Sequence, residues 1–158
     1  IVYGTEALGV MRIEKGHVAG GELNGQSTAL NMGLGKMVSK KKDSIGMVLS
    51  QREGMTDPNG YRLVGVKPVD PAGKLTAGSH FLEIGAEPVI GNDGGWLTSK
   101  VYSPHLGCDI ALGYLKAGDR QIGKRMRAVN LLAKPPTETE VEIVSPHFFD
   151  PMGERLRG

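Results

Sequence analysis

The chain has 158 residues, with 19 Lys and Arg against 17 Asp and Glu, for a formal net charge of +2. That length suits one domain of ordinary size or a small domain with an appendage, and the near-balanced charge provides no broad field for gathering nucleic acid. A single cysteine, Cys108, excludes an internal disulfide and fits a reducing compartment; no run approaches the roughly 20 apolar residues of a membrane helix, so a soluble, cytoplasmic protein is expected.

Residues 5–15 read as an amphipathic helix. Ala7, Leu8 and Met11 recur at i, i+1 and i+4 with Val10 beside them, entered through Gly4 or Thr5 and stopped near Gly16. Glu14 stands at i+4 from Val10 and i+7 from Ala7, on the apolar side. A carboxylate there, at the negative end of the helix dipole, needs a partner. Lys15 or a nearby backbone N–H would serve structurally, and a bound ligand functionally. A glycine-rich loop follows over 16–25, then a short helical or turn segment over 28–32. Residues 36–39 look strand-like, and Asp43 and Ser44 are placed to cap a helix over 47–53. The cluster 54–60 reads as a linker or turn.

From Tyr61 the pattern changes to β. Short strands are predicted over 61–68, 80–84, 96–102, 110–115, 125–132 and 140–144, with turns at 70–73, 92–95 and 116–119. Residues 140–144 alternate cleanly, as a strand with one wet face does. The expected fold class is α+β, mostly β, divided near residue 58. Residues 1–57 would carry a helix plus short strands, and residues 58–158 a small antiparallel β-barrel or jelly roll. Trp96 and Tyr102 are read as barrel core, and Cys108 as a small apolar residue starting a buried strand.

The motifs exclude several chemistries. The glycines at 16, 20, 21 and 25 lack the preceding strand and spacing of a dinucleotide loop, and residues 118–124 lack the full Walker spacing. His105, Cys108 and Asp109 are not accompanied by a paired ligand motif, since His17, His80 and His147 stand apart, so no metal is expected. The basic runs 40–42 and 124–127 read as solvated loop or strand edge.

Five segments in order carry a family resemblance: Gly4-Thr5-Glu6-Ala7-Leu8 leading to Arg12, Glu14, Lys15 and Gly16; Gly33-Leu34-Gly35 with the basic run 39–43 and Ile45-Gly46; Leu97-Thr98-Ser99 with Ser103-Pro104 and Leu106-Gly107; Ile110-Ala111-Leu112-Gly113-Tyr114-Leu115; and the ending from Val144 to Gly158. Together they resemble the folate-binding region of the alpha subunit of heterotetrameric sarcosine oxidase. That region is itself similar to the aminomethyltransferase (T-protein) of the glycine cleavage system and to dimethylglycine dehydrogenase. The resemblance covers nearly the whole chain, which starts at Ile1 and is expected to be a C-terminal portion of a much longer subunit.

The resemblance implies a set of expectations. Residues 1–57 would be the C-terminal part of the folate-binding, aminomethyltransferase-like domain, and residues 58–158 the C-terminal barrel. Glu14 matches the family's pterin-binding glutamate, and an ionised carboxylate accepts two parallel N–H donors from the edge of a reduced pterin. Lys41 and Lys42 match the cation of the basic run, where flexible ammonium groups suit a folate glutamate tail. Tetrahydrofolate would capture the one-carbon unit released when sarcosine is oxidised to glycine with formation of peroxide. FAD, FMN and NAD would be held elsewhere in the parent enzyme, and a catalytic aspartate upstream of Ile1, so no catalytic residue is assigned and these residues alone are expected to be inactive. The partners would be the other subunits and the rest of the alpha subunit, with neither nucleic acid nor membrane. Alternatives are an aminomethyltransferase fragment and a folate-free docking module. Two departures from the family pattern stand out: Lys36 follows Gly33-Leu34-Gly35 where an aromatic is usual, and Glu22-Leu23 replaces Gln-Asp or Asn-Asp after the loop glycine.

Overall fold

The computed structural model describes residues 2–39 and 41–158. Six strands, each antiparallel to its neighbours, close into a barrel: β1 (Tyr61–Pro68), β2 (His80–Leu82), β3 (Gly95–Ser103), β4 (Cys108–Lys116), β5 (Arg125–Asn130) and β6 (Thr137–Val144), in the order β1-β4-β3-β2-β5-β6 with β6 returning to β1. The β-rich half is thus a closed barrel and not a two-sheet jelly roll. Closure removes the unpaired edges that an open sheet of this size would expose.

Alternation along the strands builds the interior. Val64 and Val66 from β1, Phe81 from β2, Leu97 from β3, Ala111 and Leu115 from β4, Met126 and Ala128 from β5, and Val141 and Ile143 from β6 form one buried cluster with Leu75. On β6 the partners of that alternation, Glu138 and Glu140, face water, the wet face expected for this strand. β4 is different, being buried from Cys108 to Leu115. Its second face, Ile110, Leu112 and Tyr114, joins Ile13, Leu63 and Cys108 in an outer cluster, against which Val18, Met32, Trp96 and Phe148 pack. A strand covered on both sides needs apolar residues at successive positions, which is why 110–115 reads as a continuous run. Each fully buried Ile or Leu there contributes about 2 kcal/mol.

The covering layer is the chain before the barrel. α1 (Thr5–Glu14) lies where the sequence predicts it, against β3 and β4, but with another face inward. Ile13 is buried, whereas Leu8 and Met11 are 52% and 46% exposed. The segment 28–34 forms turns, and Asn31 ties it to β1: its carbonyl accepts the Leu63 N–H at 2.7 Å and its Nδ2 donates to the Tyr61 carbonyl at 2.7 Å.

Three local expectations are corrected. Among the described residues there is no strand before Tyr61, so residues 1–57 do not carry short strands; the strand-like 36–39 is replaced by a 3-10 turn at Gly35–Met37, nucleated by Leu34 accepting the Met37 N–H. The helix expected over 47–53 is two short pieces, α2 (Met47–Ser50) and α3 (Glu53–Thr56), separated by the extended backbone of Arg52. Gly46 in the left-handed region precedes α2, and no side chain from Asp43 or Ser44 caps it. Tyr102 is not core, being 49% exposed with the Lys74 ammonium 5.5 Å from its ring centroid. A last helix, α4 (Glu154–Arg157), was not anticipated. No described helix is long and apolar enough to cross a membrane.

What fastens the outer layer to the barrel is a buried carboxylate. Glu22 has no exposed surface. Its Oε2 accepts Arg12 Nη1 at 2.9 Å and the Ala19 N–H at 2.9 Å, and its Oε1 accepts the Thr98 hydroxyl of β3 at 2.5 Å. Arg12 Nη2 reaches Ser99 Oγ at 2.9 Å, and the Tyr114 hydroxyl donates to the Glu22 carbonyl at 2.8 Å. Burial pushes the Glu22 carboxyl up, but the Thr98 and Ser99 hydroxyls, the Ala19 N–H and the Arg12 guanidinium outweigh it and hold the group below its ordinary value near 4.5.

At the other end of the barrel wall the tail after β6 crosses β1 and α1. Gly65 makes room for it: a Cβ there would overlap the Ser145 carbonyl oxygen and lie 2.9 Å from the Phe148 ring. Gly16, at φ +73°, does the same beneath Pro146.

Two predictions follow from these contacts. Gly65→Ala is expected to lower stability by about 2 kcal/mol or more through overpacking, read as a lower urea midpoint at unchanged slope. Glu22→Gln is expected to lose about 3 kcal/mol near neutral pH, because the Arg12 charge loses its counterion. Since the folded Glu22 carboxyl titrates below the unfolded one, its stabilisation is full above the unfolded value and lost as pH falls through the folded value. The gap between wild type and Glu22→Gln in denaturation free energy should therefore narrow on acidification from pH 6; a gap that stays constant would assign the effect to packing alone.

Candidate functional site

Three segments meet at Glu14. α1 ends there, the β3–β4 turn passes beside it, and the tail after β6 crosses over it. The Glu14 carbonyl accepts both the Phe148 and the Phe149 N–H at 2.9 Å, so the tail satisfies a carbonyl that the helix end leaves without a partner in the helix. The half-buried Glu14 side chain turns to β3, where Oε1 accepts the Ser103 hydroxyl at 2.5 Å. The partner is therefore neither Lys15 nor a backbone N–H. Lys15 points to the tail, its Nζ donating to the Asp150 carbonyl at 2.6 Å and lying 3.4 Å from Asp150 Oδ2. Among the described residues Glu14 Oε2 has no hydrogen-bond partner.

The tail turns at Asp150. Its backbone sits in the left-handed region at φ 46°, and its Oδ1 accepts the Glu154 N–H at 2.8 Å at the start of α4. Desolvation pushes its carboxyl up, yet the N–H groups of Arg155 and Glu154 and the Lys15 ammonium together outweigh it and hold the group below the usual range. Just before it, the Phe149 ring stands edge-on to His105 at 4.8 Å and under Arg155 at 5.0 Å. His147 Nδ1 lies 3.0 Å from the Lys15 carbonyl. The corner thus presents the Glu14 carboxylate, held at backbone and side chain, beside the Lys15–Asp150 pair and an aromatic and cationic rim.

Lys41 and Lys42 are exposed in the segment between the 3-10 turn and α2, and neither enters an ion pair among the described residues. Among the described residues no hydrogen bond or ion pair joins them to Glu14. Lys40, the third member of the basic run, lies outside the described residues. Cys108 is buried at the first position of β4, and among the described residues no three His, Cys, Asp or Glu side chains are grouped to hold a metal ion.

Sequence reasoning singled out Glu14 but not Ser103, Asp150 or Glu22, which the fold brings to it or beside it. Ser103 and Asp150 lie far along the chain and were visible only as members of matched segments. Glu22 carried a signal, since it occupies a departure from the family pattern directly after the loop glycines.

Residues 62–150 match the glycine cleavage T-protein C-terminal barrel domain. Sarcosine oxidase subunit alpha of Rhizobium meliloti (strain 1021) is 44% identical over 155 residues, covering 98% of this chain and 16% of that protein. Its counterpart in Corynebacterium sp. (strain P-1) is 34% identical over 161 residues, covering 99% of the chain and 16% of that protein. The chain therefore spans about a sixth of the length of these relatives, 16% in each. The crystal structure of glycine cleavage system aminomethyltransferase T from Bartonella henselae superposes with a TM-score of 0.69 at 19% identity, over 92% of this chain and 38% of that one, which shows a shared fold. With a closed six-stranded barrel and a family match that runs from β1 to Asp150, the chain belongs to the glycine cleavage T-protein C-terminal barrel domain family.

Proposed function

We propose that this chain is the folate-binding C-terminal portion of a heterotetrameric sarcosine oxidase alpha subunit, in an enzyme that demethylates sarcosine to glycine. The observation that carries the reading is the Glu14 carboxylate, fixed at the end of α1 by Ser103 with Oε2 left for a ligand. The donor set fits. A reduced pterin offers adjacent N–H and NH2 donors, and a carboxylate accepts in parallel without donating. Tetrahydrofolate supplies, when bound, the amine that captures the one-carbon unit. Glu14 orients it, and the protein's contribution is placement, which raises effective concentration. Lys41 and Lys42 supply mobile positive charge for the glutamate tail. FAD, FMN and NAD belong to other parts of the enzyme.

In this reading residues 1–57 are the last part of a folate-binding domain whose remainder covers them. Support comes from their exposed apolar side chains. Leu8, Met11, Met37, Ile45, Val48 and Leu49 all stand in solvent, a concentration larger than scattered surface residues produce. The same feature favours a second reading, a folate-free module that docks the barrel to the rest of the enzyme, with Glu14 closing a helix end.

Calorimetric titration of tetrahydrofolate into the full-length protein carrying these residues separates the two. Glu14→Ala is expected to weaken binding at least tenfold, about 1.4 kcal/mol, and equal binding would remove Glu14 from the site. No binding to the unmodified protein would leave the docking module. The Lys41→Gln/Lys42→Gln pair should weaken polyglutamylated folate several-fold, on the order of 1 kcal/mol at low salt, and the monoglutamate less; equal effects on both would place the lysines away from the tail.

A further inference from the structure

Ser103 is fully buried at the last position of β3, and its hydroxyl has little freedom. The oxygen accepts the Leu106 N–H at 3.1 Å, within the turn, while the proton goes to Glu14 Oε1 at 2.5 Å. The backbone is equally fixed, since Ser103 pairs with Cys108 and its carbonyl accepts the Gly107 N–H at 2.8 Å.

The helix has other anchors besides this hydroxyl. α1 is already held by the Arg12–Glu22 pair, by buried Ile13, and by the two tail N–H groups on the Glu14 carbonyl. What Ser103 adds is the direction of the carboxylate. It ties Oε1 to the barrel and leaves Oε2 without a partner among the described residues.

Resting on the folate reading above, we propose that Ser103 is a positioning residue that sets the ligand preference of Glu14. By holding one lone pair of Oε1 it presents a fixed acceptor edge, Oε2 beside the remaining lone pair of Oε1, which takes a ligand carrying an N–H beside an NH2 and rejects one that lacks the second donor. Ser103 does not touch the ligand in this scheme and acts through Glu14 alone. A site built for paired donors discriminates against an analogue that leaves an acceptor unmatched.

The test is a cycle on the full-length protein with its partner subunits, titrating tetrahydrofolate and its 2-desamino analogue into wild type, Ser103→Ala, Glu14→Ala and the double variant. Ser103→Ala is expected to weaken tetrahydrofolate about tenfold, as loss of a charge-assisted bond does, and to narrow the preference over the desamino analogue. The double variant should bind within about twofold of Glu14→Ala, since the two residues act as one unit. Ser103→Thr, which keeps the hydroxyl, should restore the preference. A melting midpoint for each variant guards against unfolding, and Ser103→Cys, a weaker donor of similar size, replaces Ser103→Ala if that variant does not fold.

Weakened binding in Glu14→Ala with wild-type binding and preference in Ser103→Ala would overturn this inference and leave the folate reading intact. Additive losses in the double variant would also overturn it, by showing that Ser103 acts independently of Glu14. Wild-type binding in Glu14→Ala, or no binding at all, would overturn the folate reading and this inference together.

Discussion

The Arg12–Glu22 pair is the interaction on which the remainder depends. A carboxylate with no exposed surface is costly to bury, and it persists here because each oxygen is matched: Arg12 and Ala19 on one, Thr98 on the other. These partners come from α1, from the loop after it, and from β3. The pair therefore fixes three segments at once. α1 has only Ile13 fully buried, too small an apolar contact to orient a ten-residue helix, so the polar cluster supplies the register. Two residues beyond Arg12 stands Glu14, and the direction in which it faces follows from that register.

Much of the barrel was legible, for reasons that differ between strands. β6 announces itself by alternation, with Val141 and Ile143 inward and Glu140 outward. β4 announces itself by a continuous apolar run, because a second layer covers it. The helix was legible in extent but not in orientation. Leu8 and Met11 define its apolar stripe, yet they face away from the barrel, and a stripe read from sequence cannot distinguish a partner within the chain from one outside it. The same ambiguity affected residues 36–56, where a strand and a longer helix were expected and short pieces occur. Little of the barrel lies near enough to select between local conformations there.

The candidate site was half legible. A carboxylate at the end of a helix, ahead of glycines, is visible in a short window. Its partner is not, because Ser103 is 89 residues away in sequence, and no periodicity spans that distance. Glu22 was hidden differently. A glutamate among glycines has the composition of a solvated loop, and only the fold reveals that Thr98 and Tyr114 close over it. Nearby charges thus have different surroundings: both Glu22 oxygens are matched, while among the described residues Glu14 has a partner on Oε1 alone.

The crossing of the tail over α1 also has a temporal meaning. Lys15 and Asp150 are joined across 135 residues, and the Glu14 carbonyl finds its donors in Phe148 and Phe149. Closing so long a loop is entropically slow relative to the local hairpins of the barrel. During synthesis, α1 and the first strands leave the ribosome long before residues 148–150 exist. The corner is therefore the last part of the domain to be completed, and a nascent chain carries Glu14 with an open backbone until the tail arrives. The geometry of that corner is therefore set only once the last strand of the barrel has been made and the tail after it has crossed α1.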